Sequence, residues 1–232
     1  MLSNDLRDFL ARARAQHGAA VLSLDELRAR HADAEPAELW GLAALRGRFV
    51  ELSARGATAT LTAAFELVLE AQTTGEPVAW ISLAKSTFYP PDAADGGVDL
   101  AAMVVVRAPG AIAAARAAER LLRSGAFGLV ILDLDGAEGP PVAERLAQPA
   151  ELSMSIQGRL VTLAQAHDAA VVCITEKSAD TASLGSLVSL RAEALRSRDG
   201  EGRFGVTVRA LKDKRRGPGW TRASKLRGPP GL

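Results

Sequence analysis

Apolar residues first recur at helical spacing. Leu2, Leu6, Phe9, Leu10 and Ala13 fall on one face of a helix over residues 2–17, which Ser3 caps and Gly18 ends. VLSLDEL follows as a short extended piece entering a second helix, with Ser23 as its cap. Pro36 then opens a third helix, PAELWGLAAL, which Gly47 stops. Beyond Gly47 the pattern changes to short continuous apolar runs: RFVELS, PVAWISL, MVVV, LVILD and AVVCIT. Between them lie the helical periods ATLTAAFELVLEAQ, GAIAAARAAERLLRSG and ELSMSIQGRLVTLAQAH. Strands of this kind alternating with helices predict a mostly parallel sheet with helices on both faces. The end differs again. LVSLRAEALRS, RDGEG and RFGVTVRALK predict an antiparallel hairpin on the sheet edge. The expected division is a helical extension over 1–46, an α/β core over 47–211 and a basic, partly flexible tail over 212–232.

Composition narrows the chemistry. Nearly half of the 232 residues are apolar and about a quarter are charged, as in an ordinary globular protein. No apolar stretch reaches the length of a membrane span, and no signal-peptide core opens the chain, so a cytoplasmic location is expected. The single cysteine, Cys173, sits in AVVCI and reads as a buried strand residue. His17, His31 and His167 lie far apart, with no HExxH or CxxC spacing, so no metal site is expected.

The net charge of +1 hides an asymmetry. Residues 209–232 hold eight cations (Arg209, Lys212, Lys214, Arg215, Arg216, Arg222, Lys225 and Arg227) and one acid, Asp213. Taking these from the totals of 28 and 27 leaves 20 basic and 26 acidic residues in 1–208. A basic end on an acidic body suits a polyanion such as single-stranded DNA, or an acidic protein surface. Trp220 lies among the cations as a candidate for stacking on a base. The alternative is that it anchors the segment to its own domain while the cations face water.

Three motifs need weighing. GEGRFG (200–205) matches G-x-G-x-x-G, but a strand follows where a dinucleotide fingerprint needs a helix, so it reads as a turn. LVILDLDG places Asp133 at the end of an apolar strand. There it resembles either a Walker B segment or the DxDG opening of haloacid-dehalogenase-type phosphatases. The phosphatase motif normally lies on the first strand and continues with threonine, whereas Ala137 stands here. Third, RFVELSARGATATLTAA has a strand, a loop and a helix where a phosphate-binding loop belongs. G-x-x-x-x-G-K-[ST] is absent, and the chain has no Gly-Lys pair. Gly56, Thr58 and Thr60 offer a degenerate nucleotide site, but no lysine neutralises the outer phosphates.

The order of these pieces resembles RecA. GRFVELSARGATATLTAAFELVLEAQTTGEPVAWIS is similar to the RecA core from its first core strand through the phosphate loop to the next strand. GGVDL (96–100), LLRSGAFGLVILD (121–133), SMSIQGRLVTLAQAHDAAVVCIT (153–175) and RFGVTVRALKDKRRGPG (203–219) continue it collinearly over about 47–219. The fold implied is a RecA-like α/β domain. The departures remove catalysis. No lysine stands near Thr58, and WISLAKST puts Ala84 and Lys85 where RecA carries its water-activating glutamate. Glu176 falls at the γ-phosphate-sensing glutamine, and KSADTASLG is short for a second DNA-binding loop. Asp133 and the pair Lys212 and Lys214 match. In RecA filaments such lysines reach nucleotide on a neighbouring subunit.

A RecA-like chain with a helical N-terminus, a weakened nucleotide site and a basic RGPxG-like ending resembles the ImuA family of bacterial translesion-synthesis cassettes. The resemblance implies no catalysis and no cofactor. It implies RecA and the cassette's polymerase-like protein as partners in the SOS response. The apolar face of Leu6, Phe9 and Leu10 either docks on RecA, as the N-terminal helix of polymerising RecA proteins docks on the next subunit, or packs on its own domain. The rivals are a cell-division inhibitor of the SulA type and a RecA-like DNA-dependent ATPase.

Overall fold

A computed structural model describes residues 39–56, 58–83, 86, 88–134, 152–198 and 203–227. All of them belong to one compact unit, Pro36–Leu232. The first helix face, with Leu6, Phe9 and Leu10, lies outside the described residues.

The apolar runs form an eight-stranded sheet. β1 is Arg48–Ala54, β2 Val78–Leu83, β3 Met103–Ala108, β4 Leu129–Asp133 and β5 Ala170–Glu176. β6 (Leu190–Arg198), β7 (Arg203–Asp213) and β8 (Thr221–Arg227) complete it. The order is β3-β2-β4-β5-β1-β6-β7-β8. Neighbours are parallel from β3 through to β6, and β6, β7 and β8 are antiparallel. The helices are α1 (Leu42–Leu45), α2 (Thr60–Thr73), α3 (Pro90–Asp95), α4 (Ala111–Arg123) and α5 (Met154–Ala166). β1, β2, β4 and β5 are buried almost throughout, as continuous apolar strands covered on both faces should be.

Successive strand residues point to opposite faces, which separates two packing layers. On one face Phe49, Ile81, Leu132, Val171 and Cys173 meet Ala114, Ala118 and Leu122 of α4 and Leu160 and Ala164 of α5. Alanine-rich helices let the backbone approach the sheet closely. On the other face Trp80 is fully buried between Phe65 of α2 and Phe88, with ring centroids 4.9 and 5.1 Å away.

Three sequence expectations change. The third helix is broken: Gly41 is extended, and α1 begins only at Leu42. Trp40, Leu42 and Leu45 are buried, and α1 packs on α2, β1 and β5, so the core starts before Gly47. Gly47, at φ +64°, then turns the chain into β1, and its N–H donates to the Ala169 carbonyl at 3.0 Å. At the other end, Thr221–Arg227 within the segment expected as a tail form a strand of the sheet. The hairpin of β6 and β7 gains a third strand, β8, which pairs with β7 from Arg203↔Arg227 to Arg209↔Thr221. Among the described residues no helix is long and apolar enough to cross a membrane.

Candidate functional site

In an open parallel sheet, ligands meet the carboxyl ends of the strands. Here that rim is formed by the segments after β1, β2, β4 and β5. The segment after β1 runs from Arg55 to Ala59, with Gly56 at φ +85°. A phosphate cradle needs free backbone N–H groups at this place. Instead the Thr58 N–H donates to the Gly56 carbonyl at 2.8 Å, and the Ala59 N–H donates to Ala194 on β6 at 2.9 Å. The Thr60 N–H donates to Thr58 Oγ1 at 3.2 Å, and the two threonine hydroxyls share a hydrogen bond of 2.9 Å. Thr58 also bridges to Leu195. Three successive amides are thus committed to protein acceptors, and the turn is tied to the neighbouring strand.

Asp133 ends β4 and is fully buried. Its Oδ2 accepts a hydrogen bond from the Ser86 hydroxyl, which in turn accepts the Phe88 N–H at 3.0 Å. Ser82 is its register neighbour on β2 and is also buried. A carboxylate enclosed this way is closed to solvent. No group of three or more potential metal ligands occurs among the described residues. Ala84, Lys85 and Asp135 lie outside them. Glu176 is exposed at the end of β5, and His167 follows the last turn of α5. Burial, and then the nearby Glu51 charge, push the Cys173 thiol far above its ordinary range, so it is a core residue rather than a nucleophile.

The strongest polar cluster was not singled out from the sequence. Glu51, in the middle of β1, is fully buried. Its Oε1 lies 2.9 Å from the Lys177 ammonium and accepts the Thr175 hydroxyl at 3.0 Å. Its Oε2 accepts the Leu184 N–H at 2.8 Å, with Arg191 Nε 3.9 Å away. Arg191 also donates to the carbonyls of Ser178 and Thr181 and to the Ser53 hydroxyl. One carboxylate therefore ties β1, β5, β6 and the 177–189 loop together. The signal was available: a glutamate inside the buried run RFVELS needs a partner.

Lys212 stands opposite Arg191 in the β6–β7 ladder. Its pKa is lowered, first by partial burial and next by Lys214, with Arg191 adding to the effect and Glu51 opposing it. Lys214 donates to the Ser186 carbonyl at 2.5 Å. Lys212 is thus level with Glu51 in the middle of β1, and Lys214 lies beyond it towards the amino end of β1, beside Ser186 and Ser189. Asp133 ends β4 on the α2 side of the sheet, so the structure does not bring it together with these two lysines.

The remaining predicted cations divide. Asp213 is a buried hub. It accepts from Arg48 at 2.6 Å, from the backbone N–H groups of Arg215 and Arg216 at 2.8 and 3.3 Å, and from Trp220 Nε1 at 3.0 Å. Trp220 is 2% exposed, so it is an anchor and offers no open face to a base. This corrects the stacking expectation, because the indole serves the turn that joins β7 to β8. Arg222 pairs with Glu66 of α2, and Ser224 donates to the same carboxylate at 2.8 Å. Lys225 is exposed on β8, and Arg227 ends that strand. For GEGRFG, the strands on both sides run antiparallel, as a hairpin requires and a dinucleotide fold does not. No protein-family model matches the chain, and no curated protein matches it.

Proposed function

We propose that this chain is a non-catalytic, RecA-like accessory protein of the SOS DNA-damage response that serves translesion-synthesis mutagenesis. It acts by binding RecA and the polymerase-like protein of its cassette. One observation carries the non-catalytic reading: the amides of Thr58, Ala59 and Thr60 are spent on internal acceptors, in a loop without lysine. A nucleotide would find neither a cradle nor a neutralising charge there. The mostly parallel sheet, its helices on both faces and its antiparallel end support the RecA-like reading. The collinear sequence segments support it as well. Lys212 and Lys214, placed away from the carboxyl rim of their own sheet, suit a role toward a neighbouring subunit. Leu6, Phe9 and Leu10 are assigned to partner docking from the sequence alone.

The catalytic half of this proposal is tested by ATP turnover with Mg²⁺, with and without single-stranded DNA. The expected result is a rate equal to the protein-free blank in both conditions. Turnover abolished by Asp133→Asn would contradict the proposal and restore the ATPase reading.

A further inference from the structure

The positive charge is larger than the last 24 residues suggest, and it coincides with the antiparallel part of the sheet. Residues 190–232 contain 12 basic and 4 acidic side chains, leaving 16 basic and 23 acidic in 1–189. The β6–β8 part is thus near +8 and the remainder near −7. Alternation along the strands sorts this part into two faces. Arg222 and Ser224 bind Glu66 of α2, which fixes their face, with Val206 and Val208, as the one that α2 covers. The opposite face carries Leu195, Ser197, Gly205, Thr207, Arg209, Ala223 and Lys225 by register. On that side of the sheet α4 packs on β2, β3 and β4, and α5 packs on β1 and β5. Leu195, Ser197, Ala223 and Lys225 are exposed there, and the Arg209 side chain keeps 51% exposure although it pairs with Glu193.

We infer that this open face of β6–β8 is a binding platform for a single-stranded nucleic-acid backbone. The occupant follows from charge and shape. The central row of the face is Leu195, Thr207 and Ala223, with Ser197 and Gly205 beside it; apart from Leu195 these side chains are small or hydroxyl-bearing, so a sugar–phosphate chain can lie close to the strands. Arg209 and Lys225 flank that centre, and Lys212 and Lys214 continue the positive field at the end of β7. Backbone contacts of this kind need no base readout and no stacking aromatic, which fits the burial of Trp220. The inference is independent of any RecA partnership, and its test contains neither RecA nor nucleotide.

The test is fluorescence anisotropy of a labelled oligo-dT strand with the full chain. Thr207→Glu and Ala223→Glu each place an acid at the centre of the face, on different strands, where neither side chain is needed by the core. Each is expected to weaken binding about ten-fold at low salt while leaving the melting curve unchanged. Arg116→Glu on α4 changes the net charge by two units rather than one, and it is expected to alter binding by less than about two-fold. Wild-type affinity in both face variants would overturn the platform. So would an equal loss in Arg116→Glu, since the effect would then be net charge alone. Competition by polyglutamate as strong as by unlabelled oligo-dT would also overturn it, in favour of an acidic protein surface.

Discussion

Replacing Asp213 by alanine is expected to lower the unfolding free energy by about 3–5 kcal/mol, as breaking a buried ion pair typically does. The Asp213 carboxylate is fully buried, and its partner Arg48 is only 2% exposed. Burial already lowers the Arg48 pKa, with the Asp213 charge opposing that effect. Without Asp213, Arg48 keeps two bonds to Ser189 but loses its counter-charge. The Trp220 Nε1 and the Arg215 and Arg216 amides lose their acceptor at the same time. Urea unfolding measures the loss. A change below about 1 kcal/mol, the range of an exposed pair, would mean that the hub does not hold the β7–β8 turn.

Glu51→Gln is expected to have an effect of the same order, about 3–5 kcal/mol, by leaving Lys177 and Arg191 without their carboxylate. Their side chains are only 6% and 5% exposed. The substitution keeps the volume, so the effect reports charge rather than packing. It should also speed hydrogen exchange at the Leu184 amide, whose acceptor is Glu51 Oε2. The double variant Glu51→Met, Lys177→Met should recover part of the loss, because a buried pair replaced by apolar residues avoids the desolvation cost. A double variant no more stable than Glu51→Gln would place the cost on Arg191 and the Leu184 amide, which lose their acceptor in both variants, rather than on Lys177.

The strands of the parallel sheet were legible because burial on both faces leaves continuous apolar runs, and LVILD and AVVCIT match β4 and β5 closely. The hairpin of β6 and β7 was legible from its alternation and the intervening RDGEG. β8 was not. TRASKLR has no apolar alternation, and Gly217, Pro218 and Gly219 before it suggest a chain end. Its order comes from distant residues: Glu66 on α2 holds Arg222 and Ser224, and Asp213 holds Trp220. α3 was missed because a six-residue helix opening on two prolines has no period to read. The degenerate loop was visible as a missing lysine. Its closure was not, since the Ala59–Ala194 bond joins residues far apart in sequence. Trp220 shows the limit of local composition, because an aromatic among cations looks the same whether it faces solvent or the core.

The central claim is partnership with RecA without catalysis. Its most direct measurement is binding of the purified full chain to immobilised RecA, with no DNA present. The account predicts saturable binding that Phe9→Asp weakens by about ten-fold or more without changing the melting curve, as loss of a central apolar anchor should. Absence of binding at any attainable concentration would contradict it.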